Sequence, residues 1–475
     1  MLVLATVVCS AAALPLSGLR VGIVGGGASG LLLAHRLLDS GAAVTLYESR
    51  QDPRLGLGLE GRAYALGLGL RGRTAIRSVD EGLWQSVAAA GFGSDRFTLH
   101  LPFASLDLRK PSPGMEPSVL IYQTDLCSAL LGQLERRHGG SGRLDIRFEC
   151  AVESVDVASA CVRWQTGEAT FDLVAGCDGV QLAVRRAIAS QCPAFVCEQA
   201  TLDGFLKVVR LDAMPAALAT DAVHAVPGSG GLSAFLEPTK RGACALISWR
   251  GSADRELDPS ALDDPVQAAA FLAASLPLIA PSLNISAVGE QFVSQRASVA
   301  STVRCNTFHY GRAVLLGDAA HSTGGASGQG CNAALQDAVA LADALEAAVA
   351  AGEAAADGEA DEVCGRLGVD EALATYSRSR VPEGHALLDL SVGPPRSAGP
   401  LARVRFGLSA VSDTLLSKVG LAEPPLQTLL TTSLTPFAQI RKAREGTFGT
   451  FPCQLDFERE IARASGEPRE ADTEE

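Results

Sequence analysis

Six residues near the amino end, Gly25-Gly26-Gly27-Ala28-Ser29-Gly30, constrain the fold more than any others in this 475-residue chain. They match G-x-G-x-x-G, in which the first glycine permits a tight turn, the second lets backbone approach a pyrophosphate, and the third lets helix and strand pack closely. The surroundings give the match its weight. Leu19 to Val24 reads as a short buried strand, Ser29 to Leu38 as a helix with apolar residues on most faces, and Val44 to Tyr47 as a second strand. That β-α-β unit aims helix N-terminal amides at the phosphates. Glu48, at the end of the second strand and 18 residues beyond Gly30, can accept hydrogen bonds from an adenosine ribose. A dinucleotide site is expected here, and the pattern alone does not separate FAD from NAD. Gly56 to Gly61 and Gly67 to Gly72 match the same pattern, but neither reads as following a buried strand or opening an apolar helix. Both are expected to be loop glycines.

Composition removes several classes of function. Lys plus Arg number 40 against 53 for Asp plus Glu, a net charge of −13, so the chain repels a phosphate backbone and nucleic acid is not an expected partner. Hydrophobic residues at 47% and charged residues at 20% exclude wholesale disorder. The 12 cysteines, spread from Cys9 to Cys453 without a C-x-x-C pair, indicate neither a zinc module nor a disulfide framework. Met1 to Leu16 is almost entirely apolar and reads either as a signal-peptide h-region or as a buried lead-in to the first strand. Location is thereby left open between cytoplasm and an organelle. No other stretch approaches a spanning length, and the charged tail from Arg459 to Glu475 offers no stable transmembrane anchor.

Two later segments select flavin. Asp172 to Arg185 reads as a buried strand running into an Asp178-Gly179 turn and a helix start bearing Arg185. Gly311 to Asn332 contains a strand ending in Gly317-Asp318, whose carboxylate can reach a ribityl hydroxyl. A glycine-rich loop then presents backbone amides to the polar edge of an isoalloxazine ring, where reduction builds negative charge. These three segments, in this order and spacing, resemble those of the flavin-dependent aromatic hydroxylases. Further stretches narrow the likeness: Gly61-Arg62-Ala63-Tyr64-Ala65-Leu66 with Arg71-Gly72-Arg73; Gly328-Gln329-Gly330-Cys331-Asn332; Arg380-Val381-Pro382-Glu383 with His385-Ala386 and Asp389-Leu390-Ser391; and Phe437-Ala438-Gln439-Ile440-Arg441. Together they resemble the kynurenine 3-monooxygenase branch from about residue 20 to 445.

The resemblance implies an α/β fold: a Rossmann-like FAD-binding domain with a parallel sheet, an inserted, mostly antiparallel β-sheet substrate domain, and a C-terminal helical region. The FAD-binding domain is expected over 19–80, 120–193 and 305–352, and the substrate domain over 81–119 and 194–304. An acidic insert (353–365), helices (366–445) and a partly disordered tail (446–475) follow the apolar segment 1–18 and these two domains. Within 366–445, Leu426 to Ile440 reads as one amphipathic helix packed in the core. By the same resemblance, Gly25, Gly27, Ser29 and Gly30 hold the pyrophosphate, and Glu48, Ser49 and Arg50 the adenosine end. Gly67, Gln123, Val152 and Ala183 lie against the cofactor, while Asp318, Cys331 and Asn332 face the ribityl chain and ring. His321 reads as a structural group under the flavin loop.

In such enzymes NAD(P)H, with NADPH favoured by analogy, reduces FAD, and O2 gives a flavin C4a-hydroperoxide that hydroxylates a small aromatic substrate. No catalytic side chain is required. Gln123 stands where family members commonly carry an arginine, which removes a charge-assisted contact on the order of 1.5–3 kcal/mol. Leu182 stands where serine is usual, and Gly325 where proline usually shapes the loop. The tyrosine and asparagine of kynurenine-specific members are absent, which leaves Arg96 as the candidate anchor for a substrate carboxylate, or a structural cation. Two alternatives use the same fold: a flavin-binding protein without hydroxylase turnover, and a flavin-dependent reductase or halogenase.

Overall fold

Continuous runs of Val, Ile, Leu and Ala, without polar alternation, make strands that must be covered on both faces. In the computed structural model they form a six-stranded sheet in the order His309–Tyr310, Ala313–Leu315, Leu173–Gly176, Arg20–Val24, Ala43–Tyr47 and Leu144–Arg147. All pairings are parallel except the edge pair of His309–Tyr310 with Ala313–Leu315. Val21, Ile23, Val174, Ala175 and Val314 are fully buried in it. The structure describes residues 14–56, 64–101, 103–111, 114–181, 183–250, 259–325, 327–355, 362–393 and 426–445. The apolar segment before residue 14, residues 57–63 with most of the Gly56 to Gly61 match, Leu182, the centre of the acidic insert and residues from 446 lie outside the described residues.

Helix Ala28–Asp39 packs against the long helix Gly330–Ala355. A second long helix, Glu362–Val392, carries Pro382 within it. It ends at Gly393, where φ is +78°, a conformation in which glycine escapes the Cβ clash.

The middle of the chain forms a second six-stranded sheet in the order Phe205–Leu211, Gly242–Trp249, Ser233–Thr239, Ala222–Pro227, Arg96–Leu101 and Ala104–Arg109. Only the Ala222–Pro227 and Arg96–Leu101 pair is parallel. Strand alternation sends Val209, Ala234, Leu236, Ala245 and Ile247 into a core with helices Pro265–Ser275 and Ile285–Ser294. The opposite face carries Phe97, Leu99, Val223, Phe235, Glu237, Cys244 and Leu246. It meets a small sheet built from Ala65–Leu68, Ser118–Tyr122 and Phe92–Ser94, where the Ala65 amide donates to Cys244 Sγ at 3.4 Å.

The stretch expected as one amphipathic helix is two, Leu426–Thr432 and Phe437–Lys442, separated before Pro436. Leu430, Phe437 and Ile440 pack on Ala333, Ala386, Leu387 and Leu390, so this segment belongs to the core. Glu383 accepts from the Phe437 and Ala438 amides at 2.7 and 3.0 Å, and the Arg71 guanidinium lies 4.0 Å from the Phe437 ring centre. No helix among the described residues is long and apolar enough to cross a membrane.

Candidate functional site

The glycine turn shows three different demands. Gly25 has φ +109°, and a Cβ there would stand 2.2 Å from the Cys177 carbonyl oxygen. At Gly30 a Cβ would stand 2.1 Å from the Gly25 oxygen. Gly27, the N-cap of helix Ala28–Asp39, would meet nothing within 4 Å. The first and third glycines are fixed by packing, whereas the second faces open space at a helix N-terminus, the geometry an anionic group needs.

The other two signatures sit beside this turn because their strands are its neighbours in the sheet. Val24, Gly176 and Leu315 lie in one register row. Gly25 touches Cys177 and Asp178, and a Cβ on Gly317 would reach Ser29 Oγ at 3.6 Å. Asp178 Oδ2 accepts from the Val184 amide, at the start of the helix that opens with Ala183, while its Oδ1 is buried. Burial pushes that carboxyl up. Arg185 donates to the Ala319 carbonyl at 2.6 Å, so the second signature is tied to the third.

Glu48 is buried, with five hydrogen bonds from the Gly26 amide, Ser49 Oγ, and the Arg50 amide, Nε and Nη2. Burial opposes its ionisation, yet the Arg50 bonds hold it below the usual carboxylate range. The Arg50 side chain is 66% exposed, free to swing off the carboxylate. Val152 opens a strand just after Cys150, whose amide donates to the Glu48 carbonyl.

Behind Gly317-Asp318 lies a network that the motifs did not reveal. Asp337, fully buried, accepts from the Gly317 amide at 2.9 Å, His321 Nε2 at 2.5 Å and Arg380 Nε at 2.7 Å. His321 is therefore a buried structural partner of this carboxylate. Sequence held a signal: Asp337 stands four residues from Ala333 and from Leu341, on a buried stripe of an Ala-rich helix.

Asn332 ties a second glycine segment to the helix it opens. Its side chain is fully buried, accepting from the Gly69 and Gly72 amides at 2.9 and 3.2 Å and donating to the Gly67 carbonyl at 2.9 Å. Gly67 to Gly72 is thus not a loop: it joins strand Ala65–Leu68 to helix Leu70–Arg77, and Asn332 clamps that junction. The loop beyond His321 also differs from its expected shape. Gly324, Gly325 and Gly328 have φ of +64°, +79° and +65°, which proline cannot adopt at Gly325.

Asp318 keeps an exposed side chain although protein surrounds it closely enough for burial to push its carboxyl up, against the pull of His321 and Arg185. Tyr64 combines 43% exposure with a hydroxyl raised by burial, and it feels Asp318, Cys331, Cys127 and Glu237. Cys331 is raised by burial and then by Cys127 and Asp318, while Cys127 lies within reach of Arg50 and Glu48. These electrostatic neighbours run from the buried Glu48 and Cys127 past Cys331 to Asp318, Tyr64 and Glu237, and because Asp318, Tyr64, Cys331 and Glu237 keep accessible surface, the run marks a candidate cleft. Gln123 opens helix Gln123–His138 beside it, its amide bonded to the Tyr64 carbonyl at 3.2 Å.

Arg96 is turned elsewhere. It alternates with Phe97 onto the face shared with Thr98 and His224, and pairs with Asp221 at 3.2 Å, so it does not join the cleft-side row of Phe97 and Phe235.

Residues 19–390 match the FAD binding domain family. The chain is 31% identical over 391 residues to the kynurenine 3-monooxygenase of Stenotrophomonas maltophilia, covering 78% of this chain and 77% of that protein. It is 29% identical over 417 residues to that of Salinispora arenicola, covering 84% and 85%. Solved structures with the same fold include a tetrameric 2-methyl-3-hydroxypyridine-5-carboxylic acid oxygenase, at TM-score 0.63 and 19% identity over 87% of this chain and 95% of that one. Another is Pseudomonas aeruginosa PqsL in complex with 2-aminobenzoylacetate, at TM-score 0.60 and 22% identity over 78% and 94%. The chain belongs to the FAD binding domain family, on its kynurenine 3-monooxygenase branch, and is an FAD-dependent aromatic monooxygenase.

Proposed function

We propose that this monooxygenase hydroxylates a small aromatic acid bearing an amino group on or near its ring, held between the Gly317-Asp318 turn and the apolar face of the second sheet. The carrying observation is that accessible Tyr64 neighbours both Asp318 and Glu237, and Glu237 shares its sheet face with Phe97, Phe235 and Leu246. Kynurenine in the relatives' names and 2-aminobenzoylacetate in the PqsL structure are both aminophenyl ketones, which supports the substrate class.

The residues present fit FAD. Open space at Gly27 suits the pyrophosphate, and the Glu48 carboxylate suits a ribose diol once Arg50 yields its place. Gly67 and Val152 flank this run, Ala183 starts the helix capped by Asp178, and Asp318 offers an accessible carboxyl for the ribityl hydroxyls beside Cys331. Asn332 acts through the Gly67–Gly72 junction it holds. FAD, reduced by NADPH, supplies O2 activation and transfer of one oxygen atom to the ring. The protein's part is to orient the ring, exclude bulk water and keep the turn rigid. Asp337 does the last through the Gly317 amide.

Purified protein loaded with FAD should oxidise NADPH faster with an aminophenyl acid present, and product formed under 18O2 should gain one labelled oxygen. Flavin-loaded protein that hydroxylates no member of an aromatic-acid panel refutes the substrate reading.

A further inference from the structure

We infer that Glu237 is a specificity-determining residue that accepts a hydrogen bond from an N–H group of the aromatic substrate. The inference rests on the substrate class proposed above and assigns the side chain that recognises it.

Strand Ser233–Thr239 alternates, so Ala234 and Leu236 enter the helical core while Ser233, Phe235 and Glu237 face the cleft. Register places Cys244 beside Glu237 and Leu246 beside Phe235, and Phe235 meets Phe97 edge to face at 5.7 Å between ring centres. The wall is otherwise aromatic and aliphatic, with Arg210 in the same row beyond Cys244 and lying 4.9 Å from the Tyr122 ring centre. Glu237 is largely buried but keeps some accessible surface, and burial alone acts on its carboxyl, pushing it up to about 8. No hydrogen bond or ion pair to another described residue relieves it. A carboxyl without a partner in an apolar wall is costly to the protein alone. The cost is repaid when a ligand supplies the donor, and Tyr64, which feels both Glu237 and Asp318, places that donor on the substrate side of the cofactor turn.

The test uses FAD-loaded full-length protein and three acids built on one aryl ketone: benzoylacetate with no amino group, 2-aminobenzoylacetate with an aryl amine, and kynurenine with an additional ammonium. Dissociation constants are read from the flavin absorbance change. Wild type should bind 2-aminobenzoylacetate about 5- to 150-fold more tightly than benzoylacetate, the range for one hydrogen bond to a buried acceptor. E237L should reduce that ratio to within about threefold through lost affinity for the aminated acid. E237Q should keep the aryl-amine preference, because its amide oxygen still accepts. Both variants should retain wild-type flavin content, and neither should melt below wild type. An E237L protein with normal flavin content that keeps the full preference overturns the inference, as does a wild type that binds both ketones equally. A flavin-loaded wild type that binds none of the three removes the substrate class itself.

Discussion

Replacing Asp337 by Asn tests how the cofactor turn is held. The carboxylate spends Oδ2 on the Gly317 amide and His321, and Oδ1 on Arg380, whose side chain is only 11% exposed. An amide is isosteric, but whichever way it sits, its NH2 faces the Gly317 amide with His321 or the Arg380 guanidinium. One donor then opposes another, and Arg380 loses its countercharge inside the protein. Removing one partner of a buried ion pair costs about 3–5 kcal/mol. Burial opposes ionisation of Asp337, but His321, Arg380 and the Gly317 amide override it and hold the carboxyl far below its usual range. Its folded value lies below its unfolded value of about 4, so its contribution is complete above that pH and is lost as pH falls towards the folded value. Urea unfolding of apoprotein at pH 7.5 should show D337N less stable by about 3–5 kcal/mol, with the difference shrinking as pH is lowered below about 4. Flavin titration of the folded fraction should show weaker FAD binding. A D337N protein within about 1 kcal/mol of wild type at pH 7.5 would refute the network's role.

Gly27→Ala should leave apoprotein stability nearly unchanged, because the added methyl meets no atom, yet weaken FAD binding about tenfold or more by filling the phosphate space. Gly25→Ala should instead destabilise the apoprotein by at least about 3 kcal/mol, from left-handed strain plus the clash with Cys177; parallel thermal melts and flavin titrations distinguish the two. Arg96→Ala should lose about 1 kcal/mol at most, as an exposed pair with Asp221, and its turnover should stay within about twofold of wild type by NADPH consumption, since its guanidinium is on the far face. Gln123→Arg should tighten FAD by about tenfold or more in calorimetry if a charge-assisted contact is what the chain lacks.

What sequence reveals here is whatever is local. The glycine turn, Glu48 and the Asp178-Gly179 and Gly317-Asp318 pairs each declare themselves within a few residues, and adjacency in a parallel sheet then brings them together. Gly67 to Gly72 was missed because strand Ala65–Leu68 is only four residues long. The helix after it hides its buried face behind Arg71 and Arg73, which are 1% and 6% exposed. Their guanidiniums are spent on the Phe437 ring, the Thr435 carbonyl and the carbonyls of Glu116 and Pro117, partners far away in the chain. Arg96 shows the complementary limit: its strand was legible, but a period of two makes its face depend on register with Ala222. Asp337 and Glu237 are single charges in apolar patterns, and only the packed structure separates the carboxylate that is fully partnered from the one that is not.

The interleaved order of the nucleotide sheet has a cost during synthesis. The strand leading into Gly25 emerges early, but its neighbour ending at Gly176 follows about 150 residues later and the one ending at Leu315 about 290 later, an interval of roughly 15–60 s at ordinary ribosomal rates. Until then a hydrophobic strand edge stands open in the nascent chain, inviting intermolecular pairing. Non-local closure of this kind also slows folding. Yield in a foreign host should therefore respond to chaperone supply and growth temperature, and flavin can be captured only near the end of translation.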